Sequence, residues 1–207
     1  MRRLSIDSVL QLVRELPRLP ETHVRVMNMA MNAGTSVAEI TRVINTDAAL
    51  TARVLQVANT PFYGMTGRIE TVARATVILG MRTVHSLALG AGIVETLNAP
   101  DPREHCGIDI WKHSLQTAVA AQELAESGGV SDSEIAFTAG LLHDMGKLIL
   151  ATGFPDIYRQ VLEEHAATCV PLVTLEQRLF GINHATAGGM LCRSWNLPVS
   201  LRAIVEN

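Results

Sequence analysis

The stretch Leu141-Leu142-His143-Asp144-Met145-Gly146-Lys147 sets an imidazole beside a carboxylate at the end of an otherwise apolar run. A buried charge is costly unless something compensates it, and a divalent cation is a compensation that these two side chains jointly suit. Adjacent helical residues point about 100° apart, so they reach one ion only from opposite flanks or near a helix end. Gly146 is read as such an end, because glycine readily takes the left-handed conformation that stops helices. Lys147 then reads as a cation set against the C-terminal dipole of that helix. The plainer alternative is a helix terminus with His143 on the dipole and Asp144 as a local cap.

Two further histidines extend the pattern. His113 lies mid-helix in Ile110-Trp111-Lys112-His113-Ser114-Leu115, at the border of a buried stripe. His184, in Gly181-Ile182-Asn183-His184-Ala185, opens a helix, where capping or a dipole contact is equally ordinary. Together His113, His143, Asp144 and His184 bring three imidazoles and one carboxylate from three helices, a mixture that suits Zn, Fe, Mn or Ni. Separation along the chain does not establish proximity. His23, His85, His105 and His165 show no partner at chelating spacing. Asp47 reads as a helix N-cap, Glu163-Glu164-His165 as a solvated face, and Gly188-Gly189 as a place where helices pack closely.

The rest of the chain supplies a core around these residues. Of 207 residues, 48% are hydrophobic and 18% charged, which argues against disorder. Aromatics are only 4%, so the apolar content is mostly Ala, Leu, Val and Ile, favouring close-packed helices over a β-sandwich. A net charge of −3 gives no footprint for nucleic acid or an anionic membrane. Cys106, Cys169 and Cys192 are far apart with no CxxC spacing, which suits a reducing cytoplasm. No apolar run approaches the roughly 20 residues that cross a bilayer.

The helical period dominates. Ile6, Val9, Leu10, Val13 and Leu16 form a stripe ended by Pro17, and Val24, Met27 and Met31 mark a second helix closed by Gly34. Ser36 and Glu39 form a capping box for a third, and a fourth begins near Asp47 and stops at Asn59-Thr60-Pro61. Helices are expected over 72–79 and 82–97, with Gly80 between them. Residues 98–107 read as a boundary, followed by a helix over 108–127 and a Ser131/Glu134 capping box for the helix bearing His143-Asp144. Further helices are expected from Pro155 to about Ala166, over 172–180 and 185–195, and from Pro198 to Glu206. No segment shows the two-residue alternation of a strand. The expected division is an N-terminal helical half over 1–98, a connecting loop over 99–107, and a helical core over 108–207.

The histidine helix followed by Gly140-Leu141-Leu142-His143-Asp144-Met145-Gly146-Lys147 resembles the HD superfamily of metal-dependent phosphohydrolases. The chain as a whole resembles the HDOD domain, an HD-related output module of bacterial signalling proteins. It carries Leu16-Pro17-Arg18-Leu19-Pro20, Asp47-Ala48-Ala49-Leu50-Thr51-Ala52-Arg53-Val54-Leu55, Val57-Ala58-Asn59-Thr60 and Ala75-Thr76-Val77-Ile78-Leu79-Gly80. Phe180-Gly181-Ile182-Asn183-His184-Ala185 and Trp195-Asn196-Leu197-Pro198 follow in family order. The resemblance implies an all-α, HD-like multi-helix bundle with an N-terminal helical subdomain packed on the HD-like core. His113, His143 and Asp144 would be metal ligands, His184 a ligand to a second metal, and Lys147 a phosphate contact. The His-His pair and later aspartate of binuclear HD enzymes are not in these 207 residues, so the site, for Fe, Mn, Zn or Mg, is expected to be incomplete and the core to lack its last helices. The function implied is a cytoplasmic signalling output module without turnover, binding a protein partner or a further signalling domain, with no nucleic acid or membrane. The alternatives are a metal-dependent phosphohydrolase acting on a nucleotide or cyclic dinucleotide, and a small-ligand sensor that binds a nucleotide without turning it over. Arg53 and Asn59 are candidates for an interdomain contact.

Overall fold

The computed structural model describes residues 6–97, 110–129 and 132–206. Among these the fold is all-α, as expected, with no strand. The helices are α1 (Ile6–Glu15), α2 (Glu21–Met31), α3 (Val37–Ile44), α4 (Ala48–Ala58), α5 (Val72–Leu79), α6 (Met81–Thr96), α7 (Ile110–Ser127), α8 (Ser133–Leu142), α9 (Met145–Gly153), α10 (Pro155–Thr168), α11 (Leu172–Phe180), α12 (His184–Ser194) and α13 (Val199–Val205). Most bounds fall within one or two residues of those read from the sequence. The 98–107 boundary and the Ser131 cap lie outside the described residues.

The chain forms two compact units that are interleaved along the sequence, where a linear division at 98–107 was expected. One contains the described residues of 1–18, 96–117 and 139–207, the other 19–95 and 118–138. The N-terminal helix belongs with the C-terminal helices because α1 packs on α9 and α12. Gly153 leaves room there for Leu12, whose Cδ2 lies 2.1 Å from where a β-carbon would stand.

In the second unit, α3 packs on α2, α4 and α5 through Ile40, Val43 and Ile44. Ser36 and Glu39 form the expected capping box, and Asp47 caps α4, its Oδ1 accepting from the Leu50 amide at 2.9 Å. Asn59 pins the following loop: its amide donates to the Ile69 carbonyl and its oxygen accepts from the Ile69 N–H, each at 2.8 Å. Helix α2 is where expected but turned. Its buried face is His23, Val26 and Ala30, whereas Val24 and Met31 are exposed.

In the first unit, the apolar run 133–153 is two helices, not one. His143 closes α8 through its N–H to the Ala139 carbonyl (2.9 Å), and Asp144 leaves helical geometry before α9 begins. Gly146 is not a left-handed terminator; it lies in the first turn of α9. A β-carbon there would stand 1.8 Å from the His184 carbonyl oxygen and 2.8 Å from the Gly188 nitrogen. Glycine is needed because α9 and α12 touch backbone to backbone. Gly188 and Gly189 leave room for the side chains of Val205 and Glu206.

Candidate metal centre

The break between α8 and α9 puts His143 and Asp144 in a turn, so neither follows the helical spacing that would keep them apart. Asp144 is the N-cap of α9 by position, yet its side chain makes no capping bond. The carboxylate is instead buried and turned to the histidines. His113 Nε2 from α7 and His143 Nε2 each lie 3.2 Å from Asp144 Oδ2. His184 Nε2 from α12 lies 3.5 Å from Oδ1. The donors of His113, His143 and Asp144 all fall within 4.8 Å of one another. The fold therefore brings together all four residues that sequence reasoning singled out, with His184 on the other carboxylate oxygen.

Two imidazoles are oriented from behind. His143 Nδ1 meets the Gly140 carbonyl at 2.8 Å, which makes Nδ1 the donor and turns Nε2 to Asp144. His184 Nδ1 lies 2.6 Å from Glu176 Oε2, and the same oxygen accepts the His184 backbone N–H at 2.9 Å. Glu176 is fully buried, and Tyr158 Oη donates to its other oxygen at 3.3 Å. Sequence reasoning missed Glu176. Its signal was available: in Leu172-Val173-Thr174-Leu175-Glu176-Gln177-Arg178-Leu179-Phe180 it falls on the apolar stripe with Leu175, Leu179 and Phe180. A glutamate on that face needs a buried partner.

Lys147 does not sit at a helix C-terminus. It lies in the first turn of α9, its Nζ 2.7 Å from Asp144 Oδ2, the oxygen that both His113 and His143 approach. Burial alone would push the Asp144 carboxyl up, but hydrogen bonds from His143 and Lys147 outweigh it and hold the group well below the usual carboxylate range. The hydrogen bond to Asp144 raises His143 against the opposing effect of burial.

The donor set fits a single first-row divalent ion in its spacing. Ligands about 2.1 Å from one ion and roughly 100° apart are separated by about 3.2 Å, and imidazole with carboxylate is an ordinary combination for Zn, Fe or Mn. In charge, however, Lys147 already compensates the carboxylate. A cavity of about 120 Å³ adjoins the cluster, lined by Ile110, His113, Asp144, Lys147, Tyr158, Leu162 and Leu172. That is room for about four water molecules, below the roughly 300 Å³ at which ligand pockets begin.

An all-helical bundle with a His-Asp turn facing two further histidines defines the HD-like class of proteins. Within it, the HDOD domain family model matches residues 16–207, and the chain belongs to the HDOD family. Among solved structures, an HDOD domain protein of unknown function from Geobacter sulfurreducens is 26% identical, with a TM-score of 0.74 over 97% of this chain and 70% of that one. A Shewanella amazonensis SB2B protein assigned by inference as a phosphohydrolase is 29% identical, TM-score 0.73, over 96% of this chain and 70% of that one. A Marinobacter aquaeolei VT8 protein assigned by inference to signal transduction is 28% identical, TM-score 0.74, over 93% of this chain and 44% of that one. An uncharacterised Treponema pallidum (strain Nichols) protein is 25% identical over 195 residues, 92% of this chain, which spans 37% of that protein's length.

No single helix among the described residues is long and apolar enough to cross a membrane. The pair α5 and α6 passes that test only jointly, across a 112° bend, and most of α6 is buried within the fold.

Proposed function

We propose that this chain is a signal-transduction output module of the HDOD type, acting in the cytoplasm by binding a protein partner or a further signalling domain, without catalytic turnover. The observation that carries this reading is the Lys147 ammonium 2.7 Å from Asp144 Oδ2. The oxygen that an ion shared by His113 and His143 would need is already engaged by a fixed positive charge. The small adjoining cavity supports the same reading, since a nucleotide needs several times its volume. A larger concavity, of about 780 Å³, belongs to the other unit and is lined by Ala52, Leu55, Gln56, Asn59, Arg68, Ile69 and Glu70, none of them in the His-Asp cluster.

The second reading, a metal-dependent phosphohydrolase acting on a nucleotide or cyclic dinucleotide, is favoured by the 3.2 Å donor spacing and by the assignment of the Shewanella protein. In it His113, His143 and Asp144 hold an Fe, Mn, Zn or Mg ion, His184 stands at a second position and Lys147 contacts phosphate. A bound ion would supply Lewis-acid polarisation and a hydroxide near neutral pH.

Metal content by elemental analysis, with phosphodiesterase assays on bis(p-nitrophenyl) phosphate and cyclic dinucleotides in added Mn²⁺ or Fe²⁺, separates the two. The wild type is expected to bind metal weakly and show no turnover, while Lys147→Met tightens metal binding by about tenfold or more by freeing Asp144 Oδ2. Turnover in the wild type that disappears in Asp144→Ala would overturn the non-catalytic reading.

A further inference from the structure

His23 is the one residue of the buried α2 face that is not apolar, and its surroundings do not satisfy it. The side chain is 1% exposed, and neither ring nitrogen has a hydrogen-bond partner. An unpaired buried polar group is destabilising, so the position calls for a compensating feature. Two carboxylates flank the ring. Asp47 Oδ2 lies 3.7 Å from Nδ1 and Glu95 Oε2 lies 3.8 Å from Nε2, too far for hydrogen bonds. With one donor atom from each residue, the three fall within 4.8 Å of one another.

The pocket is built for an imidazole at that spot. Gly92, in the interior of α6, faces it: a β-carbon there would stand 3.2 Å from His23 Cβ and Cγ and 3.0 Å from Leu19 Cδ2. A glycine inside a helix is destabilising, and here it leaves room for the ring. Asp47 is held rigidly, because its Oδ1 accepts the Leu50 amide at 2.9 Å as the α4 cap, leaving Oδ2 toward His23. Glu95 is half exposed and provides a route from solvent. Burial holds the imidazole below its ordinary value against the pull of Asp47 and Glu95, and Arg53 acts in the same direction as burial.

We infer that His23, Asp47 and Glu95 form a second divalent-cation site, within the unit of residues 19–95 and 118–138 and independent of the His143-Asp144 cluster. One imidazole nitrogen and two carboxylates make a mixed nitrogen–oxygen set suited to Mn²⁺, Fe²⁺ or Zn²⁺, with water completing the coordination on the Glu95 side. The cation gives one of the two buried ring nitrogens a partner. Its charge offsets the two carboxylates, whose combined −2 exceeds the single positive charge of Arg53. The role that follows is structural: the ion ties α2 to the start of α4 and the end of α6.

The test is paramagnetic broadening in ¹⁵N-labelled protein titrated with Mn²⁺ alone, read amide by amide. Amide signals near His23, Asp47 and Glu95 are expected to broaden, whatever happens near His143. Glu95→Gln, on a half-exposed side chain that leaves the core intact, should raise the Mn²⁺ needed for half-broadening at these positions by about tenfold or more. His23→Gln should abolish the broadening. A titration that leaves the amides around these three residues sharp would overturn the site, as would broadening there that is unchanged in Glu95→Gln.

Discussion

Glu176 carries more of the His-Asp cluster than its absence from the ligand set suggests. It fixes His184 by two contacts, one to the ring and one to the backbone, and is itself held by Tyr158. Removing the carboxylate takes the acceptor from the His184 ring, its backbone N–H and the Tyr158 hydroxyl, at about 1–3 kcal/mol for a buried unsatisfied group. Glu176→Ala is therefore expected to lower unfolding free energy by about 3 kcal/mol in urea titrations. Glu176→Gln, which retains an acceptor, should lose less. His143 and Asp144 were legible as site residues because an imidazole beside a carboxylate in an apolar run is conspicuous. His23 was not, because its partners are brought near only by packing and lie at no recognisable spacing in the chain, and Glu176 left only the indirect signal of a carboxylate on an apolar stripe.

At the scale of elements, the α9–α12 contact decides where His184 stands. The Gly146 position lies so near the His184 carbonyl that the two backbones are in contact. Gly146→Ala must push α12 away, because the obstructing atom is backbone and has no rotamer to change. Overpacking typically costs about 1–3 kcal/mol, and this substitution is expected to reach at least the upper end in chemical denaturation. It should also separate His184 from Asp144, seen as a changed His184 imidazole resonance by NMR. Helix α2 teaches the complementary lesson. Its length was readable from periodicity, but its face was not. Methionine and valine at 24, 27 and 31 mimic a buried stripe, while His23 takes the inner face because Gly92 admits it.

For the whole molecule, alkaline stability follows from two groups held protonated. Burial pushes the Cys192 thiol up to about 11 from 9.0, with Glu206 adding to the effect. Burial likewise pushes Tyr63 up to about 12 from 10.0. Between the ordinary and the raised values the unfolded chain has lost its proton and the folded chain has kept it. The folded state then binds more protons, so stability falls as pH rises through that window. Denaturation midpoints should decline from about pH 9, and Cys192→Ala should flatten the slope between about pH 9 and pH 11.

The sequence by itself determined the helical class, most helix bounds and the His143-Asp144 pair, because hydrophobic period, caps and an imidazole beside a carboxylate are local signals, whereas His113 and His184 were reached through the family resemblance. Tertiary structure alone decided that α1 belongs with the C-terminal helices, that Lys147 engages the Asp144 oxygen, and that His23 faces Asp47 and Glu95. Those outcomes depend on which elements can approach, and glycines at 92, 146 and 153 make room for their neighbours only when the partner helix is present.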